Sequence, residues 1–472
     1  MKQKKTASFG MALIPVAFLV AFLFYATMVN NVWETGWIDV HIPLLLAAFV
    51  GGIVAIFGLN YEWAELEEGI VDLIKASMGA IIILMIIGVV IGTWLASGIV
   101  PAMIYYGLKI LNPAIFLVVT LLICSVVSLA TGSSWTTAAT VGIALMGVGQ
   151  GLGIPVPVIG GCIISGAYFG DKMSPLSDTT NLAPGVAGAD LFDHIRHMIF
   201  TTGPSYVVCL VVFGLMGMKY ASGEIDQVGI DSMLSALDAT YSINPILLIA
   251  PILVIVMVVM KVPAIPGLFM GGLLGGIFAF MFQGADMLGI IDAMHYGYGV
   301  ETGNEVVDSL VSGGGLHGMM WTVSLILCAM IFGGIMEKTG MLAAIAGGIL
   351  KVAKRTGDLI VATMLTSLAM NFVAGDQYLA IVIPGRMYKE EYDRRGLHPK
   401  NLSRTLEDAA TLTSPLVPWN SCGAYMIGTL GLTPWTYVPY CVLNLVNPLV
   451  AAFYGYTGIS IEKVDTSKEA SA

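Results

Sequence analysis

Residues 170–184 read GDKMSPLSDTTNLAP, and residues 413–420 read TSPLVPWN. Both stretches interrupt apolar sequence with a Ser-Pro-Leu triplet, and each triplet is followed by an asparagine, Asn181 or Asn420. A proline removes a backbone donor and clashes with the preceding turn, so a helix opens where it stands. Inside a membrane, the freed carbonyl oxygens are tolerated only where they line a cavity or are buried in protein. The two stretches therefore predict two broken helices.

The sequence around these interruptions is strongly apolar. Of its 472 residues, 57% are hydrophobic and only 11% are charged, and the mean hydropathy is +0.86. A soluble domain carries about 25% charged residues, so most of this surface must face an apolar medium. Runs long enough to span a bilayer as helices occur at about 10–30, 42–60, 76–98, 198–219, 243–260, 263–283, 317–336 and 434–456. The pattern predicts an all-α polytopic membrane protein.

Two more interruptions combine glycine with polar residues: residues 131–137 read TGSSWTT, and residues 375–377 read GDQ. Each lies between two apolar stretches that are short for a full crossing. These pairs are 114–130 with 135–148, and 358–374 with 378–385. We predict a re-entrant hairpin at each place.

Charges in the connecting segments predict the orientation. With the N-terminus inside, the acidic loops 221–242 and 283–315 fall outside, and the basic positions fall inside, as the positive-inside rule requires. Those basic positions are Arg196, Lys261, Lys338, Lys351, Lys354, Arg355 and the loop 386–404. The count gives about ten crossing helices plus the two hairpins, or 10–12 membrane helices in all, and places both termini in the cytoplasm. The hairpins then enter from opposite faces.

Hairpins of opposite orientation predict an inverted-topology repeat with discontinuous helices. We assign its two cores to residues 100–200 and 340–457, within a single transporter domain covering 1–472. Between the second and third predicted helices lies Glu62–Lys75, an amphipathic acidic stretch. The segments Pro101–Leu111 and Met341–Leu350 are too short to span.

Paired broken helices at matching places in two repeats are the best sequence pointer to a transport site. The candidate residues carry oxygen, which suits Na⁺ far better than soft metals. From the first repeat they are Ser133, Ser134, Asp171, Ser177, Asp178, Thr179 and Asn181, and from the second Asp376, Ser414 and Asn420. We assign Na⁺ to Asp178, Ser177 and Asn181, and take Asp171 as a second candidate for the proton-carrying carboxylate.

An ionisable group within a membrane costs roughly 3 kcal/mol on insertion scales, so an idle one is improbable. A carboxylate there can bind a cation or a proton, and competition of Na⁺ and H⁺ for one carboxylate is the simplest exchange mechanism. Structural roles compete with this interpretation. Asp171 could pair with Lys172, Asp178 and Asp376 could cap helices, and Ser133 and Ser134 could be packing hydroxyls. Glu407 and Asp408 could lie at the membrane surface.

Enzyme chemistry has no support in the sequence. It contains no phosphate loop, no nucleophile–base pair and no Cys or His cluster with metal-ligand spacing. All six cysteines lie in apolar stretches, where we expect small buried hydrophobes. We therefore predict no catalytic residues, no cofactor and no nucleic-acid partner.

The string GDKMSPLSDTTN at 170–181, with residues 131–137 and 413–420 in support, resembles the NhaC family of bacterial Na⁺/H⁺ antiporters, and the likeness runs over nearly the whole chain. The resemblance implies secondary exchange of Na⁺ for H⁺ by alternating access in a bacterial inner membrane, and a homodimer as a family-level expectation. The same family looks to include carriers that couple Na⁺ and H⁺ to malate and lactate. That subgroup is the main competing hypothesis, with a small carboxylate as an additional substrate.

The arginines bear on that choice. All six fall in predicted loops or at predicted helix ends. Arginine is the side chain that most often binds a carboxylate, through two parallel hydrogen bonds. The placement of the arginines favours cation exchange, although helix N-termini can also hold a carboxylate. A cation channel is a further hypothesis, disfavoured because channels usually repeat a pore element in symmetric subunits.

Overall fold

A computed structural model describes residues 3–27, 29, 38–110, 112–221, 227–260, 262–351 and 353–464. Within these ranges the chain is helical, and its β-type pairing is limited to isolated bridges such as Tyr298–Gly313. The prediction of an all-α protein is confirmed. Parts of several predictions lie outside the described residues: positions 28 and 30 of the first helix, Leu111, positions 222–226 of the first acidic loop, Lys261 and both extreme termini.

Ten helices make up the first half of the chain. In order they are α1 (Phe9–Thr27), α2 (His41–Ile53), α3 (Trp63–Ala96), α4 (Ile99–Ile110), α5 (Pro113–Thr131), α6 (Ser134–Thr137), α7 (Ile143–Gly151), α8 (Val156–Met173), α9 (Asp178–Ala187) and α10 (Leu191–Ala221). A π-helical segment, Val54–Gly58, extends α2, and another, Ala138–Gly142, joins α6 to α7.

The middle of the chain contains six helices: α11 (Gln227–Thr240), α12 (Ile249–Val259), α13 (Ala264–Gln283), α14 (Met287–Tyr296), α15 (Glu305–Leu310) and α16 (Gly315–Gly318). A 3₁₀ turn, Pro245–Leu248, precedes α12. Helices α11 and α12 meet at a bend of 95°, because the chain between them carries Asn244 and Pro245, which start a new helix rather than continue the old one.

Seven helices complete the chain: α17 (Met320–Lys338), α18 (Met341–Leu350), α19 (Thr356–Val373), α20 (Gln377–Arg394), α21 (Pro399–Leu406), α22 (Ser421–Leu430) and α23 (Val442–Thr457). A π-helical segment, Glu407–Thr411, extends α21. The last helix was predicted to begin near residue 434, and this is wrong. Trp435, after Pro434, has a φ of +69°, which ends any helix there and delays α23 to Val442.

Eight helices of the described residues are long and apolar enough to cross a membrane, and the bent pair would make nine. They are α1, α2 with its extension, α3, α5, α10, α13, α17 and α19. Large apolar side chains on these helices are exposed, such as Phe57 and Phe280, as expected for a surface that faces lipid. The chain is therefore a multi-pass membrane protein. Helices α4 and α18 are short, with 12 and 10 residues, as predicted.

The third helix begins much earlier than predicted. The amphipathic acidic stretch 62–75, placed before this helix, supplies the cap and first turns of α3, whose 34 residues make it about 50 Å long at about 1.5 Å per residue. A reciprocal capping box between Glu62 and Glu65 starts this helix. Its charged end is held by ion pairs of Glu65 with Lys4 and of Glu68 with Lys338 at 2.7 Å.

The basic segment 386–404 is mostly helical rather than a loop, which corrects a second prediction. Residues up to Arg394 belong to α20, and α21 begins at Pro399. Glu391 pairs with Arg394 at 2.7 Å and with Arg395 at 2.6 Å, and pairs at these spacings stabilise a last helical turn. The high density of charged residues in 386–404 had suggested a loop, although charged residues also occur on exposed helices.

The core packs in two groups that meet at the broken helices. In one group, α5 packs on α8 and on α10; in the other, α3 packs on α13 and α17. Helices α19 and α20 pack side by side as an antiparallel pair. The short helix α9 lies against α20 and α21, while α22 lies against α3 and α17. Segments from both halves of the chain are thus brought together at the centre.

Candidate functional site

The two predicted hairpin tips have the same backbone form. Gly132 follows α5 with a φ of +70°, and Gly375 follows α19 with a φ of +67°, a conformation that glycine adopts at no steric cost. The next residue caps the following helix in each case. The Ser133 hydroxyl accepts the Thr136 N–H at 3.1 Å, and the Asp376 carboxylate accepts the Leu379 N–H at 3.0 Å. That these turns are the tips of re-entrant hairpins in a membrane stays a prediction.

The two Ser-Pro-Leu stretches also break their helices. After α8 ends, Ser174 is buried and donates its hydroxyl to the Leu129 carbonyl at 2.8 Å. Ser177 then caps α9. Ser414 is likewise buried and begins a 3₁₀ turn, and Asn420 caps α22.

A cavity of about 430 Å³ lies where these four helix starts converge. Five of the ten predicted site residues line it, two from the first tip, two from the GDKMSPLSD stretch and one from the second tip. They are Ser133, Ser134, Asp171, Asp178 and Asp376. The opposite wall comes from the middle of α3, where Ala76, Gly79 and Ile83 lie.

Asp171 joins the first tip to the end of α8. Its Oδ2 accepts the Ser134 hydroxyl at 2.6 Å and the Ser134 N–H at 3.2 Å. Its Oδ1 is buried and has no hydrogen-bond partner among the residues that the structure describes. The alternative pairing with Lys172 is wrong, because the Lys172 ammonium lies 2.8 Å from Asp408 Oδ1 instead. Asp171 therefore keeps one carboxylate oxygen without a hydrogen bond at the edge of the cavity.

Asp178 links the two halves of the chain. Its Oδ1 accepts the Thr179 N–H at 2.8 Å, and its Oδ2 accepts a hydrogen bond from the Tyr378 hydroxyl. The cap of α9 is Ser177, so Asp178 is the first residue of the helix rather than its cap. The side chain of Asp178 is exposed to the cavity.

The second tip combines a carboxylate with an amide. Asp376 caps α20 and also lines the cavity, so both of its predicted roles are compatible. Next to it, Gln377 Oε1 accepts the Ser414 hydroxyl and the Cys422 thiol, each at 2.8 Å. The Ser421 N–H donates to the Gly375 carbonyl at 2.8 Å. These bonds hold the tip against the start of α22.

The other five predicted residues do not line the cavity and instead bond to nearby groups. Asn181 Nδ2 donates to the carbonyls of Pro175 and Ser177. The Ser177 and Thr179 hydroxyls lie 3.1 Å apart. Asn420 Nδ2 donates to Asn371, and Ser414 supports Gln377 as described. Of the three residues assigned to Na⁺, only Asp178 lines the cavity, and that ligand set stays a prediction.

An aromatic pair joins the first tip to α22. The rings of Trp135 and Tyr425 are stacked, with centroids 4.0 Å apart and an interplanar angle of 20°. The Tyr425 hydroxyl also donates to the Trp135 carbonyl at 2.8 Å. Trp135 lines the cavity and Tyr425 is fully buried, so the pair forms a well-packed link between the two halves.

A second charged cluster is buried behind α8. Asp408 pairs with Lys172, and Arg404 Nε lies 3.8 Å from Asp408 Oδ2. Glu407 and Asp408 are completely buried within the protein, and their depth relative to the membrane surface stays a prediction. Arg404 is also buried, at 1% exposure, and lies inside a helical run rather than in a loop or at a helix end.

Several site residues were missed from the sequence. Gln377 and Tyr378 directly follow the second tip, and their position next to a Gly-Asp break was a usable signal. The pairing of Lys172 with Asp408 joins positions far apart in the chain, and nothing in either local sequence indicates it.

The cavity is suited to small cations. Three carboxylates line it, and none of its described lining residues is Lys, Arg or His. The four helix N-termini carry partial positive charge, which stabilises ionised carboxylates nearby. No three His, Cys, Asp or Glu residues of the described chain converge as a metal-binding group, so a cation here would take most of its oxygen ligands from hydroxyl, amide and carbonyl groups.

Helices that cross a membrane, two broken segments and an oxygen-lined cavity between them define a membrane transporter. Comparison with known proteins specifies the family. The Na⁺/H⁺ antiporter family model matches residues 166–459. The chain is 40% identical over 463 residues to the Na⁺/H⁺ antiporter NhaC of Alkalihalophilus pseudofirmus, covering 98% of both chains. The chain belongs to the Na⁺/H⁺ antiporter family.

Other relatives differ in the substrates that their names state. The malate-2H⁺/Na⁺-lactate antiporter of Bacillus subtilis is 39% identical over 420 residues, which cover 88% of this chain and 90% of the relative. The arginine/ornithine antiporter ArcD of Halobacterium salinarum is 36% identical over 457 residues, or 96% and 93% of the two chains. Similarity of this degree therefore extends over antiporters with different substrates.

Proposed function

We propose that this protein exchanges Na⁺ for H⁺ across the membrane by alternating access. The observation that carries the proposal is the lining of the central cavity, with three carboxylates and no basic side chain among its described residues. Such a surface attracts cations and repels free carboxylates. The name of the NhaC relative, a Na⁺/H⁺ antiporter that is similar over 98% of the chain, agrees with it.

The exchange follows from competition for the cavity carboxylates. Asp171 lines the cavity and is held by Ser134 through one oxygen, and its other oxygen has no hydrogen-bond partner among the described residues. A proton on that oxygen and a Na⁺ beside it exclude each other, because both neutralise the same charge. We therefore expect the apparent affinity for Na⁺ to fall as the pH is lowered. Asp178 and Asp376 supply further oxygen atoms, with Ser133 and Ser134 at the first tip.

We further propose that Asp178, Asp171 and Asp376 carry the ions, and that Ser177, Thr179, Asn181, Ser414 and Asn420 hold the shape of the broken segments. The repeat cores would be residues 100–200 and 340–457, within one domain. In a bacterial inner membrane, the positive-inside rule places both termini in the cytoplasm. The contacts of Lys4 and Lys338 with the charged start of α3 agree, because they gather basic residues at one end of the molecule.

The alternative is coupling of Na⁺ and H⁺ to malate or lactate. The feature in its favour is the convergence of four helix N-termini, since such ends can hold a carboxylate. A relative named as a malate-2H⁺/Na⁺-lactate antiporter is similar over 88% of this chain. Against it, an organic anion in this cavity would face three carboxylates with no basic partner.

A fluorescence assay in proteoliposomes separates these functions. A pH dye is trapped inside the vesicles and a Na⁺ gradient is imposed in buffer free of organic acids. We expect Na⁺ to move protons under these conditions, with Li⁺, K⁺, malate and lactate tested separately. Proton movement that requires malate or lactate would favour the alternative instead.

Asp178→Asn tests the assignment of the cavity. The amide keeps the size and the bond from Tyr378 but cannot hold a cation or exchange a proton. We expect exchange to fall to the background of empty vesicles, while size-exclusion chromatography still shows folded protein. Asp292→Asn, an exposed residue of α14, is the matched control and should exchange at the wild-type rate. Wild-type exchange by Asp178→Asn would remove this residue from the site.

A further inference from the structure

Glu407 is a buried acid outside the central cavity. It begins the π-helical segment that extends α21, a few residues before the second Ser-Pro-Leu turn. Its side chain is completely buried. Among the residues that the structure describes, neither carboxylate oxygen has a hydrogen-bond partner. Segments of this helix type occur frequently at functional sites.

The two buried basic side chains near Glu407, Lys172 and Arg404, both pair with its neighbour Asp408. Lys172 lies 2.8 Å from Asp408 Oδ1, and Arg404 lies 3.8 Å from Asp408 Oδ2. Asp408 Oδ1 also accepts the Thr201 hydroxyl at 3.0 Å and the Asn447 amide at 2.7 Å. Asp408 thus has four partners, whereas among the described residues only the Thr411 hydroxyl of the same segment interacts with Glu407 as a potential donor, and it does so without hydrogen-bond geometry.

The segments α8, α9, α19, α20, α21 and α23 pack against Glu407–Thr411, and α10 contacts it through Thr201. The buried titratable and charged groups of these segments, with Asp408 of the segment itself, are Tyr168, Asp171, Lys172, His194, His197, Tyr388, Tyr392, Arg404 and Asp408. Of these, Lys172, Asp171 and Asp408 interact electrostatically with Glu407. Glu407 therefore interacts with one positive charge, Lys172, which is already paired with Asp408, and with two carboxylates.

An ionised carboxylate that is buried without a donor is strongly disfavoured, whereas a neutral carboxylic acid is tolerated. We propose that Glu407 is a second proton-binding site of this transporter, separate from the cavity and occupied by a proton in the conformation described here. The inference rests on the proposed exchange of Na⁺ for H⁺.

The end of α8 connects this second site to the cavity. Adjacent residues point to opposite sides: Asp171 lines the cavity, and Lys172 reaches the buried cluster. When Na⁺ neutralises Asp171, the repulsion between Asp171 and Glu407 is reduced, and Lys172 can then stabilise Glu407 as a carboxylate. The proton leaves the Glu407 carboxyl group for water when the broken segment moves, and returns in the reverse step. Each transport cycle thus carries one proton more than the cavity carboxylates alone provide.

The number of protons moved per Na⁺ tests the proposal. In proteoliposomes, the membrane voltage at which Na⁺ and H⁺ gradients give no net flux reports this ratio. We expect Glu407→Gln, which cannot exchange a proton, to transport with one proton fewer per Na⁺ than the wild type, and Glu407→Asp to keep the wild-type ratio. Glu390→Gln, an exposed residue of α20, is the matched control. An unchanged ratio in Glu407→Gln would overturn the proposal.

A second measurement covers variants that do not transport. Infrared spectra of membranes held at neutral pH without Na⁺ should contain the carbonyl band of a neutral carboxylic acid, lost in Glu407→Gln and displaced in Glu407→Asp. An identical band in the wild type and both variants would contradict the proposal. Because this band needs no flux, it is independent of the proposed function, which fails only if wild-type vesicles show no Na⁺-driven proton movement.

Discussion

The first hairpin tip reads Gly132-Ser133-Ser134, and the second reads Gly375-Asp376-Gln377. Their backbones match: a left-handed glycine, then a helix cap, then a helix that starts at the cavity. Their chemistry differs. The first tip is neutral and donates two hydrogen bonds to an acid of another helix, whereas the second carries its own acid.

This difference shows that the form of the tip and its charge are set by different residues. Glycine and the capping oxygen determine the turn, since serine and aspartate cap equally well. The acid can then come from the tip itself or from a neighbour. The predictions below test this separation.

Among the variants that compare the two tips, Asp171→Asn should have the largest effect, because it removes the acid on which the first tip depends. Losing hydrogen bonds to a charged group costs about 3 kcal/mol, which corresponds to a decrease of about 100-fold in exchange. Initial rates of Na⁺-driven proton movement measure it. If Asp171→Asn exchanges at half the wild-type rate or more, the second tip alone is sufficient.

Gly132→Ala and Gly375→Ala should show how tightly the backbone is constrained at each of the two tips. Both force alanine into a left-handed conformation, at about 1–2 kcal/mol each. At Gly132 the new Cβ would also lie 2.7 Å from the backbone of Leu176, whereas at Gly375 the nearest atom is the Ala329 Cβ at 3.1 Å. We expect Gly132→Ala to lose about 3 kcal/mol of stability, with overpacking included, and to show the lower thermal unfolding temperature in detergent. Equal unfolding temperatures would mean that Leu176 moves aside freely.

Ser134→Ala removes the shorter of the two bonds to Asp171 and leaves the backbone N–H in place. We expect exchange to decrease about 10-fold, equivalent to about 1.4 kcal/mol, with little change in unfolding temperature. Ser133→Ala is the comparison, since it removes the cap and should lower stability by about 1 kcal/mol with a smaller effect on exchange. The opposite ranking would assign the ion contact to Ser133.

Asp376→Asn should have the smallest effect. Asparagine caps helices as well as aspartate does, so the unfolding temperature should stay at the wild-type value. Only one of the three cavity carboxylates is lost, and we expect the apparent affinity for Na⁺ to weaken about 5-fold, near 1 kcal/mol. An affinity loss as large as that of Asp171→Asn would make the acid of the second tip equal to that of the first.

The places where the chain breaks could be predicted because they depend on local sequence. Glycine beside polar residues in an apolar run, and proline after serine, have direct backbone consequences. Half of the predicted site residues line one cavity for this reason. Of the rest, Ser177, Thr179 and Asn181 are close neighbours of Asp178 in sequence, whereas Ser414 and Asn420 belong to the second Ser-Pro-Leu stretch. These five bond the backbone or other side chains instead of lining the cavity.

Two kinds of feature could not be predicted in this way. Pairing across the chain, as between Lys172 and Asp408, depends on packing and leaves no local pattern. The charged end of α20 was mistaken for a loop, and the charged start of α3 was left outside its helix, because hydropathy alone does not distinguish charged helical turns from loops. For α3, the capping box of Glu62 and Glu65 is the sequence signal that marks where the helix begins.

The stack of Trp135 on Tyr425 limits which parts of the transporter can slide. Separating the rings would lose both their packing and a buried hydrogen bond, while the Tyr378–Asp178 bond joins the halves at a second point. These contacts tie the first tip to α22 and the second tip to α9, so we expect the two tips and these two short helices to move together. Across the cavity from them, α3 presents the small residues Ala76 and Gly79, which offer few side-chain contacts that would resist such a movement.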